Sequence, residues 1–382
     1  MDVFSGLLGL GQNLALAIPA FLFVLLIVVF FHELGHFLVA RWCGVKVSTF
    51  SIGFGAELFG WNDRHGTRWR LAAVPLGGYV KFIDDENAAS LPSPERKAEL
   101  AAAGEDGTFH GKPLWRRALI VAAGPIANFI VAIVVFACIF ATYGKRDLPA
   151  VVAGVVAGGA AEKAGIKAGD LIVAVDGYGI ESFGDLQRMV GTSADTQLKL
   201  SIKRGSETLD IVATPTRAEL KDRFGNIVKI GRLGINSTDD QSQWVNKWFS
   251  PLGAIVEGTR ETWFIIDRTL NFIGRLFRGL ESTDQIGGPV RIAQVSGQVA
   301  SVGALALINL AALLSISVGL INLFPVPMLD GGHLMFYAIE AIRGRPLSDR
   351  IQEIGFRIGL ALVIMLMVFA TWNDLVQLFA VT

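Results

Sequence analysis

The chain has 382 residues, with 34 basic and 34 acidic side chains and no net charge, so nothing in it points to nucleic acid as a partner. It is 52% hydrophobic and only 18% charged, below the roughly 25% charge of soluble domains. With a mean hydropathy of +0.49, this excludes an ordinary soluble enzyme and indicates a membrane core with room for one further domain of about 100 residues.

In chain order, the first apolar run is Leu14–Ala40. It lacks a basic leader and carries Phe31-His32-Glu33-Leu34-Gly35-His36, so it reads as a retained first span rather than a signal peptide. Residues four apart share a helix face, so His32 and His36 offer two imidazoles to one Zn²⁺. Glu33 beside them is placed to take a proton from an activated water. Ionisable groups inside a span are costly and mark function by default. The two cysteines, Cys43 and Cys138, make no disulfide framework or CxxC site and read as small packing residues.

Val45–Leu58 and Trp69–Phe82 follow, with Gly53-Phe54-Gly55 and Pro75-Leu76-Gly77-Gly78-Tyr79, and read as short strands and turns. Two readings stand for them: an open sheet edge offered to an extended substrate, or an amphipathic hairpin packed on the helices. Asp84–Gly107 reads as a polar loop with a short helix at Pro94–Ala103. The second span, Ala118–Tyr143, contains Gly124-Pro125-Ile126-Ala127-Asn128, which reads as a kink with a packed Asn128 or as a group standing behind the metal ligands.

From Pro149 to about Pro215 strand-length apolar runs alternate with Gly-Asp turns. Phe183–Val190 reads as a helix, and Gln197–Arg204 and Thr208–Thr214 as strands, a small α+β module. Its "AGIKAGDLIVAVDG" resembles a PDZ domain, which binds extended peptides or free C-termini by strand addition; a steric filter is the other reading. Pro251–Leu280 is helical but carries Glu257, Arg260, Glu261, Asp267, Arg268 and Arg275, which suits a helix on the membrane surface, and Gly287-Gly288-Pro289 breaks it.

The third and fourth spans are Leu305–Phe324 and Ile354–Val381, the last ending at Trp372, Asn373 and Asp374 near an interface. Basic residues cluster between spans one and two and between three and four, so both termini and the middle segment are expected outside the cytoplasm. A catalytic zinc keeps three protein ligands, and two histidines need a third. In Asn322-Leu323-Phe324-Pro325-Val326-Pro327-Met328-Leu329-Asp330-Gly331-Gly332-His333 the prolines end the helix, the glycines allow a turn, and Asp330 is the best third ligand on a non-helical peptide. His333 is a rival, although a fourth protein ligand would close the site. His65 and His110 read as solvated.

"FFHELGHFLVA", "GFG", "VPLGGYVKF", "KPLWRRALIVAAGPIANF" and "NLFPVPMLDGGHL", with one PDZ-like module, resemble the site-2 protease family, in its bacterial regulator-of-sigma-E protease branch. The resemblance implies that His32, His36 and Asp330 hold Zn²⁺, that Glu33 is the catalytic acid/base, and that Asn322 positions substrate. It implies a hairpin holding substrate through Gly53, Phe54, Gly55, Gly77, Gly78 and Tyr79, and a segment after the PDZ-like module that gates access. It also implies cleavage within the membrane of single-pass proteins, such as anti-sigma factors and signal-peptide remnants, after a first cut.

The expected architecture is a polytopic α-helical membrane protein of about four transmembrane helices, with a membrane-associated β-hairpin and an inserted extracytoplasmic α+β PDZ-like domain. Its segments are 1–41 (first helix), 42–113 (hairpin region and polar loop), 114–144 (second helix), 145–236 (PDZ-like domain), 237–300 (gating segment) and 301–382 (third and fourth helices). The expected place is the bacterial inner membrane, multi-pass, with the PDZ-like domain and termini periplasmic and the active site toward the cytoplasm. Expected partners are the bilayer, single-pass substrates and a free peptide C-terminus at the PDZ-like domain. The rival readings are a membrane-anchored PDZ scaffold with a non-catalytic metal site, and a metal-handling membrane protein.

Overall fold

The computed structural model of the chain describes residues 3–84, 107–221, 227–238, 244–279 and 287–381. The helix expected at Pro94–Ala103 lies outside them. Contacts divide the chain into two units, Met1–Ala137 with Ile255–Thr382, and Cys138–Ala254.

The first unit is built on α1 (Val3–Trp42), α2 (Leu114–Tyr143), α5 (Pro251–Phe277), α6 (Pro289–Val302), α7 (Ala304–Asn322), α8 (Asp330–Arg343) and α9 (Asp349–Val381). Four stretches are long and apolar enough to cross a bilayer: Leu16–Trp42, Leu114–Tyr143, Ala304–Asn322 and Arg350–Val376. Leu, Val, Ile, Phe and Ala on all faces suit helices whose outer surface meets lipid and whose backbone groups are satisfied within the helix.

Helix α1 is central, packed against α6, α7 and the two strands that follow it. Small residues set the distances. Gly35 of α1 faces the Ala123 carbonyl of α2 with no room for a side chain, and Gly319 of α7 sits 3.1 Å, at its would-be Cβ, from the Pro125 carbonyl of α2. Val24, Val28 and Ala311 fill the α1–α7 seam.

Helix α6, beyond the glycine-proline break, is not anticipated from sequence. Its Gly297 lies directly on Ala17 of α1. The α6 N-terminus is capped from a distance: Asp374 of α9 accepts the Gly288 and Arg291 amides at 2.8 and 2.9 Å. Asp374 is therefore a buried cap, and α9 continues through it to Val381.

After α1 come β1 (Val47–Asn62) and β2 (Arg68–Phe82). The register places Thr49–Ile52 beside Gly78–Lys81 on one side and Arg68–Leu71 on the other, with Glu57–Asn62 paired outside the latter. One long hairpin is thus folded on itself into a small sheet. The reversal in β1 falls at Gly53 and Gly55, with φ of +91° and +87°, which side-chain-bearing residues rarely adopt. Phe37, Phe50, Phe82, Phe109 and Ile120 bury the root of this sheet against α1 and α2, with Trp69 packed on the cluster. Asp84 closes it by accepting the Phe109 and His110 amides, both at 2.9 Å, and the His110 ring at 2.8 Å. His110 is thus paired, not solvated as read from sequence; His65 is exposed.

The second unit opens with the short strands β3 (Lys145–Asp147) and β4 (Gly154–Val155) and the short helix α3 (Ala160–Lys163), and contains a sheet in the order β6 (Tyr178–Gly179), β5 (Leu171–Val175), β7 (Leu198–Arg204), β8 (Glu207–Ala213). Alternating inward side chains Ile172, Val175, Leu198, Leu200 and Ile202 are buried. Helix α4 (Phe183–Gly191) starts at Ser182, whose Oγ accepts the Asp185 amide at 3.1 Å. Buried Asp170 receives Arg204 Nε and an Arg204 terminal nitrogen at 2.7 and 2.8 Å and the Lys167 amide at 2.8 Å.

The Arg204 guanidinium, more than burial acts against it, holds the Asp170 carboxyl below its ordinary range. A depressed carboxyl adds stability above its unfolded pKa of about 3.9 and loses it as pH falls through the folded value. Asp170→Asn in the full chain is therefore expected to cost about 1–2 kcal/mol, discounted because Arg204 is partly exposed. The check is a lower melting temperature at pH 7 and a difference from wild type that shrinks below pH 4.

Candidate metal centre

Two imidazoles reach one point because His32 and His36 lie one helical turn apart on α1. Their rings stand edge to face, and their Nε2 atoms are 3.3 Å apart. Asp330 comes from far along the chain. Helix α7 ends at Asn322, Pro325 and Pro327 keep the next residues non-helical, and α8 begins at Asp330 itself. The acid is therefore the first residue of a helix rather than part of the non-helical peptide, and the α8 N-terminus favours its negative charge.

The glycines that follow serve closeness, not turning. Neither Gly331 nor Gly332 has a positive φ. A side chain at Gly331 would meet the Phe324 carbonyl, and one at Gly332 the Val326 carbonyl. The left-handed residue in this turn is Met328, at φ +88°. On the far side α9 presses on the turn, since Gly359 has no space for a Cβ beside the Pro327 carbonyl. The acid is thus fixed from both flanks.

Asp330 Oδ2 lies 3.2 Å from His32 Nε2 and 3.5 Å from His36 Nε2. These three ligand atoms all lie within 4.8 Å of one another. Asp330 Oδ2 is buried and satisfied by no hydrogen bond among the described residues, which is costly for a carboxylate oxygen. Two ligands about 2.0 Å from one ion at the tetrahedral angle stand roughly 3.3 Å apart. The spacing, the orphaned oxygen and the two-nitrogen, one-oxygen donor set all fit a zinc ion with one position left for a small ligand.

The groups behind the rings come from α2. The buried ring of His36 places Nδ1 2.9 Å from the Ile120 carbonyl. His32 Nδ1 is 3.3 Å from Asn128 Nδ2. Of the two readings of Asn128 open from sequence, the structure brings it to the ligand. Gly124 is needed because a Cβ there would collide with His36 Nε2.

Glu33, on the same helix, is not among the converging donors. Its Cγ would lie 2.9 Å from a Cβ at Gly78, so the β2 backbone runs directly against it, and the Val80 amide hydrogen-bonds to its carboxyl. Phe54 stacks on Tyr79 with ring centroids 6.1 Å apart, and Gly77 leaves room for the Phe54 ring. The hairpin residues therefore divide: Gly78 adjoins Glu33, Phe54, Gly77 and Tyr79 form one stack, and Gly53 and Gly55 make the reversal. Asn322 is the last residue of α7 and is half-buried. His333 is not with the metal-binding atoms; its ring packs 5.2 Å from Phe356.

Comparison with known proteins gives the geometry its context. The model of peptidase family M50 matches residues 20–366. A relative from Rhizobium meliloti with the provisional name of a zinc metalloprotease is 49% identical over 368 residues, 96% of this chain and 98% of the relative. One from Agrobacterium fabrum, provisionally named in the same way, is 50% identical over 361 residues, 94% and 96% of the two chains. The metalloprotease MmpA of Caulobacter vibrioides is 43% identical over 376 residues, covering 93% and 94%. The matched region contains the clustered histidines and the aspartate. This multi-pass membrane protein belongs to peptidase family M50, the site-2 protease family of zinc metalloproteases.

Proposed function

We propose that the chain cuts single-pass membrane proteins within the bilayer, with His32, His36 and Asp330 holding Zn²⁺ and Glu33 as the acid/base. The observation that carries this reading is the convergence of His32 Nε2, His36 Nε2 and Asp330 Oδ2, with Glu33 adjacent but outside the set. Zinc, when bound, polarises the scissile carbonyl and activates a water. Glu33 accepts the proton of that water and returns it to the leaving amine. Asn322 orients the substrate backbone.

A transmembrane helix hides its carbonyls in hydrogen bonds and must unwind to be cut. Pairing with the sheet near Gly78 offsets that cost by offering backbone partners beside Glu33. Gly53, Phe54, Gly55, Gly77 and Tyr79 shape that sheet. Residues 145–236 form a PDZ-like domain on the periplasmic side, where a free peptide C-terminus is its ligand class, and 237–300 gate entry. The site faces the cytoplasmic half of the bacterial inner membrane. Anti-sigma factors and signal-peptide remnants fit the substrate class, because both present a bare span after a first cut.

Co-expression of the chain with a tagged single-pass protein, intact or stripped of its periplasmic domain, tests the reading. Cleavage is expected of the stripped form only. Equal cleavage of both forms would remove the dependence on a first cut.

A further inference from the structure

His32 can ligate through Nε2 only if its proton sits on Nδ1, because a neutral imidazole carries one N–H. That N–H lies in a buried place and needs an acceptor. For His36 the Ile120 carbonyl serves, 2.9 Å from Nδ1. The polar group facing His32 Nδ1 is the amide of Asn128, with Nδ2 at 3.3 Å. Asn128 is fully buried, and its Oδ1 has no hydrogen-bond partner among the described residues. Its backbone is fixed: Ser315 Oγ of α7 donates to the Asn128 carbonyl at 3.0 Å, and a Cβ at Gly319 would lie 3.2 Å from the Asn128 Cβ. Only the amide is left to choose its orientation.

We propose that Asn128 is the positioning residue for His32. The Asn128 amide stands 3.3 Å from His32 Nδ1, on the side of the ring away from Asp330. With metal held by Nε2, the proton sits on Nδ1 and Asn128 Oδ1 accepts it. Aspartate keeps that acceptor, and leucine removes it. This proposal rests on the metal reading given above, and it adds a residue that neither HExxH nor the aspartate motif contains.

The test uses the full-length protein in detergent, with zinc affinity measured by chelator competition. Asn128→Leu is expected to weaken zinc binding about 10–100-fold, the usual effect of removing a group that orients a histidine ligand. Asn128→Asp is expected to stay close to wild type, because the acceptor is kept. Wild type labelled with ¹⁵N-histidine gives a second readout that needs no variant. His32 is expected to be protonated at Nδ1 in the zinc-bound protein. Wild-type affinity in Asn128→Leu, or zinc bound through His32 Nδ1, overturns this proposal and leaves the metal reading standing. A wild-type chain that binds no zinc overturns both.

Discussion

Glu33→Gln is expected to keep its zinc and lose its proteolysis. Glutamine has the shape of glutamate and still accepts the Val80 amide, so the contact between α1 and β2 at Gly78 is preserved. The donor atoms of His32, His36 and Asp330 are untouched, because Glu33 is not among them. An amide cannot take up and return a proton at neutral pH, and losing a general base costs about 10²–10⁴-fold in rate. Zinc content by elemental analysis and cleavage of a stripped single-pass substrate, measured on the same preparation, separate the two effects. Cleavage at the wild-type rate would remove Glu33 from the mechanism. Zinc lost together with cleavage would make Glu33 part of the binding site instead.

Asp330→Asn is expected to do the opposite and release the metal. The substitution keeps the size of the side chain at the start of α8 and forfeits only the modest helix-terminus interaction, about 0.3–1 kcal/mol, so the fold persists. It replaces the single anionic donor of a set whose other members are neutral rings. The cost to zinc affinity is expected to exceed the roughly 10–100-fold typical of groups one step removed from a metal. His333 does not replace it in this arrangement, because it is not among the converging donors. Chelator competition against wild type gives the number. Wild-type affinity in Asp330→Asn would exclude the aspartate as a ligand.

The parts of the centre that follow from local periodicity are legible in the sequence. His32 and His36 are four apart in an apolar run, and that alone fixes two rings on one face. Asp330 required a longer argument, since only the prolines and the topology tied it to the same side of the membrane. Its exact setting was not legible. The Gly331-Gly332 pair reads as a flexible turn, whereas the structure uses it for close contact with the Phe324 and Val326 carbonyls and lets α8 start at the acid.

Asn128 shows the same limit. Whether it stands alone in a kink or behind His32 depends on which face of α2 meets α1. That face is set by Gly35 against Ala123 and Gly124 against His36, contacts between helices that no single sequence displays.

Helix α6 is hidden in the sequence because the residues it buries are Ser296 and Gly297 rather than large apolar ones, and its start is stabilised by Asp374, 86 residues beyond Gly288. The glycines of β1 announced a turn. That Thr49–Ile52 would lie between two segments of β2 is a matter of long-range register, which alternation of residues along one strand does not specify.

The proposed chemistry depends on two imidazoles and one carboxylate sharing a zinc ion. Zinc K-edge X-ray absorption on the purified full-length protein tests it most directly. One zinc per chain is expected, bound only by nitrogen and oxygen at about 2.0–2.2 Å, with the scattering of two imidazole rings. A stoichiometric zinc showing a sulfur neighbour or a number of rings other than two, or no zinc at all, would contradict it.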